Sequence, residues 1–438
     1  MVDKSGLRRS FYWKMPSFGS ARLTEAAAIE GIRHRLRTAV SRQLVADVPV
    51  GIYLSGGMDS SSILAMARGD PARGSIDTYT LGFNEPSDEV EDAKRVADYF
   101  HTRHHALAVD PQPLQSLPQV LWYVEEPKIN MLQGFLLAQH ARRFIKVALG
   151  GLGGDELFAG YLAYQYMKPG DFMHRWLPRS LTSGLLRPLS RHLLDCRTRS
   201  ENLTLDEYRR GGHMLLSIGD KCRYYSIIRN VWDYDPRVWG QVYGPRVLEQ
   251  DLALTQTVFE PYFSDGDRSF VEQALIAEFQ TKMVDDFLLN EDRVSMAHGL
   301  EVRVPFLDRD LVSYSVQLPL HMKMRGMKTK YIFKKAMRGV VTDFVLRKKK
   351  WGFAFSSYFQ FQKDLKETAE RVLTPGRVKE LGLFNYDFIK KVLRHRAHPR
   401  LRWHYFTLWM MVGFHLWHDM FIARGSSPPS FDLNSYMG

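Results

Sequence analysis

Two segments of this chain pass from a short apolar stretch through a glycine-rich turn directly into a helix, and they limit the fold more than any other feature. The first runs Val50-Gly51-Ile52-Tyr53-Leu54, then Ser55-Gly56-Gly57-Met58-Asp59-Ser60-Ser61, then Ile63-Leu64-Ala65-Met66-Ala67. The second is Val147-Ala148-Leu149-Gly150-Gly151-Leu152-Gly153-Gly154-Asp155-Glu156-Leu157-Phe158-Ala159-Gly160-Tyr161. A brief apolar run bounded by turn residues is the pattern of a strand covered on both faces, as in a parallel sheet. The same alternation fills the stretch between them: strands are predicted at 78–83, 105–109 and 146–149, and helices at 89–100, 114–123 and 135–144. Ahead of the first strand, Ile29, Ile32, Leu36, Val40 and Leu44 recur at helical spacing behind a candidate cap at Thr24, and Asp47-Val48-Pro49 ends that helix. The expected fold class is therefore α/β, a doubly wound parallel sheet with ligands outside the carboxyl ends of its strands. Both glycine-rich turns follow strands, so both belong at that end.

Beyond residue 161 the strand pattern fades and apolar residues at helical spacing dominate to 423, which predicts a large helical C-terminal lobe. The expected organisation is a tail or linker over 1–21, a nucleotide-binding sheet over 22–161, a mainly helical lobe over 162–423 and a frayed tail over 424–438. With 438 residues, 45% of them hydrophobic and 25% charged, the chain has the composition of a globular enzyme. No run approaches the roughly 18 apolar residues of a membrane helix, and the charged N-terminus lacks a signal-peptide core, so a cytoplasmic location is expected. Cys196 and Cys222 are the only cysteines, too few for a disulfide framework or a four-thiolate zinc site. The net charge of +12 is scattered along the chain, with its clearest cluster at Arg347-Lys348-Lys349-Lys350. A solvated face accounts for most of it and local phosphate chemistry for part, and nucleic acid is not expected as a partner.

The first turn has the parts of a phosphate cradle. Gly56 and Gly57 let backbone N–H groups approach an anion, the helix start adds its positive dipole end, and Asp59 offers a hard oxygen for Mg²⁺. A bare glycine-rich turn with a serine cap uses the same residues. The turn lacks the Lys-Ser/Thr ending of the ordinary P-loop, which weighs against γ-phosphate transfer. The second turn fails the dinucleotide fingerprint, and its Asp155 and Glu156 also suit plain pairing with a helix dipole. Farther on, Asp285-Asp286 and the run 292–308 read as a charged helix entering a buried turn, and Lys330 lies in a basic stretch that a solvated helix face would also explain. His101, His104 and His105 lack a completing carboxylate or thiol for a metal site, and the aromatics of 401–418 suit a core.

These segments carry a resemblance. Ser55 to Ser61 is similar to the pyrophosphate-binding loop of enzymes that split ATP into AMP and pyrophosphate, among them the argininosuccinate, GMP and asparagine synthetases. The 147–161 segment resembles the second signature of the asparagine synthetase family, and Asp292-Arg293-Val294-Ser295-Met296-Ala297-His298-Gly299-Leu300-Glu301-Val302-Arg303-Val304-Pro305-Phe306-Leu307-Asp308 resembles its third. Lys328-Thr329-Lys330-Tyr331-Ile332-Phe333 and Arg347-Lys348-Lys349-Lys350-Trp351-Gly352-Phe353 follow in the family's order. Leu81-Gly82-Phe83 with Glu89 resembles its adenine-side strand and helix, and Glu126-Pro127 its acid-proline loop. The likeness spans 22–423, the synthetase domain of glutamine-hydrolysing asparagine synthetases.

The resemblance implies ATP held by Leu54, Ser55, Gly56, Gly57, Asp59, Ser60, Ser61, Leu81, Gly150 and Gly151, and Mg²⁺ held by Asp59 and Asp155. It implies catalytic roles for Asp59, Asp155 and Lys330: a substrate carboxylate attacks the α-phosphorus, Lys330 stabilises departing pyrophosphate, and ammonia or an amine traps the acyl-adenylate. One position departs, for Leu152 stands where asparagine-forming members carry Glu. The family's N-terminal glutaminase domain is not recognisable in this sequence, whose second residue is Val rather than a nucleophilic Cys. Nitrogen is therefore expected from free ammonia, a separate glutaminase subunit or an amine on the substrate. Three readings of the function stay open: amide formation on aspartate or a related acid, a specialised amide ligase of the β-lactam synthetase or peptide and sugar-acid type, and a tRNA-modifying adenylating enzyme.

Overall fold

A computed structural model describes residues 9–69, 74–82, 89–108, 113–127, 131–176, 202–217, 220–229, 236–249, 257–348, 359–398 and 400–423, with a few isolated positions elsewhere. Its organising element is a five-stranded parallel sheet. The strands are β1 (Val50–Tyr53), β2 (Asp77–Gly82), β3 (Arg103–Ala108), β4 (Val147–Leu149) and β5 (Glu301–Arg303), in the spatial order β3-β2-β1-β4-β5. From the central β1 the chain moves outward through β2 to β3, then returns to lay β4 against the other side of β1. Ile52 thus pairs with Thr78 on one side and Leu149 on the other. This reversal is a topological switch point, where an open α/β sheet leaves a crevice beyond the carboxyl ends of two neighbouring strands.

The predicted strands and helices of the first half are all present, within a few residues of the expected bounds. Helix α1 (Glu25–Gln43) starts at Thr24, whose hydroxyl accepts the Ala27 N–H at 3.2 Å, and buries Ala28, Ile32, Leu36 and Val40. Helices α2 (Met58–Arg68), α3 (Val90–Tyr99), α4 (Leu117–Val124), α5 (Met131–Ala141) and the short α6 (Gly154–Phe158) follow in order. Residues 83, 109 and 349–353 of the expected segments lie outside the described residues, as does Cys196 and most of 424–438.

Two features differ from expectation. Residues 301–303, read as part of a charged helix and turn, form β5: Glu301, Val302 and Arg303 pair with Val147, Ala148 and Leu149. Three residues with charges at both ends carry no alternation long enough to mark a strand, and only the neighbour β4 makes them one. The N-terminal stretch, expected as a tail or linker, lies against the protein. The Gly19 and Ala21 N–H groups donate to the Val316 and Gln317 carbonyls at 3.1 and 2.9 Å, the Trp13 indole donates to Ser313 Oγ at 3.0 Å, and Trp13, Met15 and Phe18 pack on the core.

Below one sheet face, α1 and α2 share a core with Phe306, Leu311, Ile332 and Phe333 from the C-terminal half. Across the other face, α5 packs through Ala138 and Ala141 on Tyr79 and Ala148. The helical lobe builds its own core, where α4 and α5 meet a C-terminal helix, Arg402–His418, that buries Trp403, Tyr405, Leu408 and Trp409. Those aromatics are core, as expected. Among the described residues, no helix is long and apolar enough to cross a membrane.

Candidate active site

The two glycine-rich turns leave β1 and β4 side by side and pack on each other. Ser55 Oγ lies 3.0 Å from Ser60 Oγ and accepts the Gly57 N–H at 3.2 Å, while the Ser55 N–H donates to Ser60 Oγ at 3.2 Å. The two hydroxyls thus close the turn on itself. The first-turn N–H groups of α2 have no partner within their helix. Gly56 has φ +65°, and an added Cβ would come within 2.6 Å of the Asp92 backbone, so only glycine permits this approach of α3. Leu54 is buried, fixed by its N–H to the Tyr79 carbonyl at 2.9 Å and by its carbonyl to Thr80 Oγ1. Leu81 sits two residues beyond the Tyr53–Tyr79 pair, level with Ser55. Ser61 is wholly buried, with its hydroxyl unpartnered among the described residues, so its side chain stays below the loop surface.

The second turn gives clearance to the acids. Gly150 is held by its N–H to the Arg303 carbonyl at 2.8 Å, and a Cβ on Gly151 would stand 3.4 Å from both Asp59 Cβ and Ser60 N. A Cβ on Gly154 would strike the Asp59 carboxylate, and one on Gly160 would strike Asp155 Oδ1 and Lys330 Cε. Glu156 turns away from the crevice: it is buried, accepts a hydrogen bond from the Tyr161 hydroxyl at 2.5 Å, and burial raises its pKa. This clasp folds 156–161 back so that Gly160 lies against the pair in front of it.

That pair converges on one ammonium group. Lys330 Nζ lies 2.5 Å from Asp59 Oδ1 and 2.7 Å from Asp155 Oδ1, and the residue is only 4% exposed. Lys330 itself holds φ +52°, a left-handed conformation that costs a non-glycine residue about 1–2 kcal/mol and is retained here by the two carboxylates. The three residues are drawn from positions far apart in the chain. Such an arrangement fits Mg²⁺: two carboxylates spaced to share one cation, with glycines where side chains would fill the space. Among the described residues no third His, Cys, Asp or Glu completes a cluster. A magnesium ion there would draw its remaining ligands from phosphate oxygens and water, which is its usual habit.

Other predicted residues take supporting places. Lys348 Nζ bridges Glu89 at 2.9 Å and Asp92 at 2.8 Å, tying the basic segment to the helix that packs on Gly56. Arg293 lies 3.4 Å from Glu126 beside the α4–α5 connection. His101 lies in the turn before β3 and the other two histidines on that strand, where His104 Nδ1 is 3.0 Å from Thr78 Oγ1 and His105 Nε2 is 2.8 Å from Asp77. Sequence reasoning missed Thr80 and Gly160. The spacing Asp155-x4-Gly160 was visible, but what the glycine clears is not.

With this geometry in hand, comparison with known proteins is informative. The family model described as asparagine synthase matches residues 31–419. The chain is similar to asparagine synthetase (glutamine-hydrolyzing) 1 of Bacillus subtilis, 26% identical over 94% of this chain and 62% of that protein. It is 29% identical to a putative asparagine synthetase (glutamine-hydrolyzing) of Mycobacterium bovis, over 94% of this chain and 61% of the relative. It is also 28% identical to amidase chry2 of Gibberella zeae, over 86% and 60%. The chain thus spans about six tenths of the length of these relatives.

Proposed function

This chain belongs to the asparagine synthase family, and from that premise we propose that it is an ATP-dependent carbon–nitrogen ligase. It activates a small carboxylic acid as an acyl-adenylate, releases pyrophosphate, and passes the acyl group to ammonia or an amine. The observation that carries this reading is the convergence of Asp59 and Asp155 on the Lys330 ammonium, at the mouth of two glycine turns.

The turn amides of 55–59 bind the phosphates of ATP, with Leu54 and Leu81 on the adenosine side and Gly150 and Gly151 opposite. Asp59 and Asp155 would hold Mg²⁺, which neutralises phosphate charge when bound. Lys330 supplies fixed positive charge at the phosphate end, where departing pyrophosphate gathers negative charge. Such preorganised charge is worth most in a site that excludes water. The substrate carboxylate attacks the α-phosphorus, and positioning across the crevice supplies much of the rate.

Leu152 favours an acid other than aspartate as the substrate. It is half-buried at the turn, where the resemblance places an acidic side chain in asparagine-forming members. That a relative bears the name amidase is in keeping with variation of the product within the family. The test is to incubate the chain with ATP, Mg²⁺ and ammonia across a panel of carboxylates, aspartate included, following pyrophosphate and AMP. Carboxylate-dependent release of both is expected. Release of ADP and phosphate, or none with any acid, would overturn the proposal.

A further inference from the structure

A second ionisable pair lies on the α5 face of the sheet. After α7 (Phe270–Ala277) and a π-helical stretch (Glu278–Leu288) the chain enters α8 (Leu289–Met296). Val294 of α8 lies against Gly134 of α5, where an added Cβ would be 2.9 Å away. Arg293 donates to the Val124 carbonyl and neighbours Glu126. These contacts put the first turn of α8 beside the α4–α5 connection. That connection lies at the carboxyl end of the strands, since α5 runs back to the start of β4.

Glu291 stands in this turn. It is half-buried, and it makes no hydrogen bond or ion pair among the described residues. Tyr53, the last residue of β1, packs on the same sheet face with Tyr79 and Ala148, and its hydroxyl is buried without a hydrogen-bond partner among the described residues. Burial and, less strongly, the Glu291 charge push the Tyr53 hydroxyl well above its usual range, and burial alone raises the Glu291 carboxyl to about 7. Several charged groups on the surrounding elements are engaged elsewhere. Lys282 neighbours Glu278, Asp286 accepts from Asn290, Arg293 turns to Glu126, and Arg303 pairs with Glu301. His140 of α5 lies against Phe144, at the opposite end of that helix.

We propose that Glu291 and Tyr53 form the receiving site for the nitrogen nucleophile, taken up as a protonated primary nitrogen, either ammonium or the primary ammonium group of a substrate. The inference rests on the ligase reading above. A carboxylate that the described residues leave without a cation is satisfied by a ligand that brings one. Glu291 accepts one N–H proton, which leaves a neutral amine. The amine's lone pair forms the C–N bond to the acyl carbonyl as the bond to the AMP oxygen breaks. AMP leaves with that electron pair, and the surplus proton on nitrogen passes to water.

The test uses the full chain and two readouts. In the first, methylammonium chloride is titrated by saturation-transfer NMR, with tetramethylammonium chloride as control. Saturable binding is expected for the parent protein and its loss for Glu291→Gln, and equal binding by both proteins, or by neither, overturns the site. In the second, amide formation is compared with carboxylate-dependent ATP–pyrophosphate exchange. Glu291→Gln should raise the KM for ammonium or amine at least about tenfold relative to exchange and remove the pH limb near neutrality, while Tyr53→Phe should act in the same direction more weakly. A preference for ammonium chloride over primary amines, or the reverse, identifies the source. Exchange that fails in the parent protein counts against the ligase reading, while the binding arm still decides the site.

Discussion

The two faces of the crevice treat charge in opposite ways. On the α1–α2 face, Lys330 is buried between two carboxylates, so these three charges are partnered by one another. On the α5–α8 face, Glu291 has none among the described residues, and Tyr53 keeps a hydroxyl that none of them partners. A buried charge that is matched internally is costly to unmatch, because removing one partner strands the other. A lone half-buried acid is already strained, and removing it relieves the fold. The first face is built to hold a fixed electrostatic pattern, and the second to be completed by what arrives.

Substitutions on each face can break this contrast. Asp59→Ala should have the largest effect: carboxylate-dependent pyrophosphate release falls by about a thousandfold or more while far-UV circular dichroism is retained, and full activity would sink the role given to this carboxylate. Gly160→Ala comes next. The new Cβ displaces Asp155 and Lys330, so activity should fall roughly a hundredfold and stability by about 1–3 kcal/mol, read by chemical denaturation.

On the other face the stability effect reverses. The Glu291 carboxyl titrates near 7 in the folded chain against 4.5 unfolded. It therefore stays protonated while the unfolded chain ionises, and the stability it allows below pH 4.5 is lost as pH rises to about 7. Glu291→Gln should flatten that slope and leave the protein roughly 2 kcal/mol more stable than the parent at pH 8, the partly exposed side chain keeping the figure below the full shift. The smallest effect belongs to Thr24→Ala, remote from both faces. It should cost about 1 kcal/mol through the lost cap, with pyrophosphate release unaltered.

Much of the site was legible because its parts are local. A strand, a glycine turn and a helix start lie within a dozen residues, so Ser55 to Asp59 and Gly150 to Asp155 can be placed from the order of residues alone. What joins them cannot. Lys330 meets Asp59 across 271 positions, and no period or spacing in the sequence records that contact. The strand at 301–303 is too short and too polar to announce itself, and it exists because β4 offers an open edge. The docked N-terminal stretch has no repeating pattern either, since it is fixed by single contacts through Trp13, Gly19 and Ala21. Glu291 is unmarked within a polar helix, because an acid's lack of a partner appears only when its neighbours are in place.

The central claim is that a carboxylate oxygen attacks the α-phosphorus within this crevice. Incubating the chain with Mg²⁺, ATP, ammonium and an ¹⁸O-labelled carboxylate, then weighing the nucleotide product by mass spectrometry, tests it directly. The account predicts AMP that carries one ¹⁸O atom from the acid, formed together with unlabelled pyrophosphate. Label in inorganic phosphate alongside ADP, or AMP without label, would contradict it.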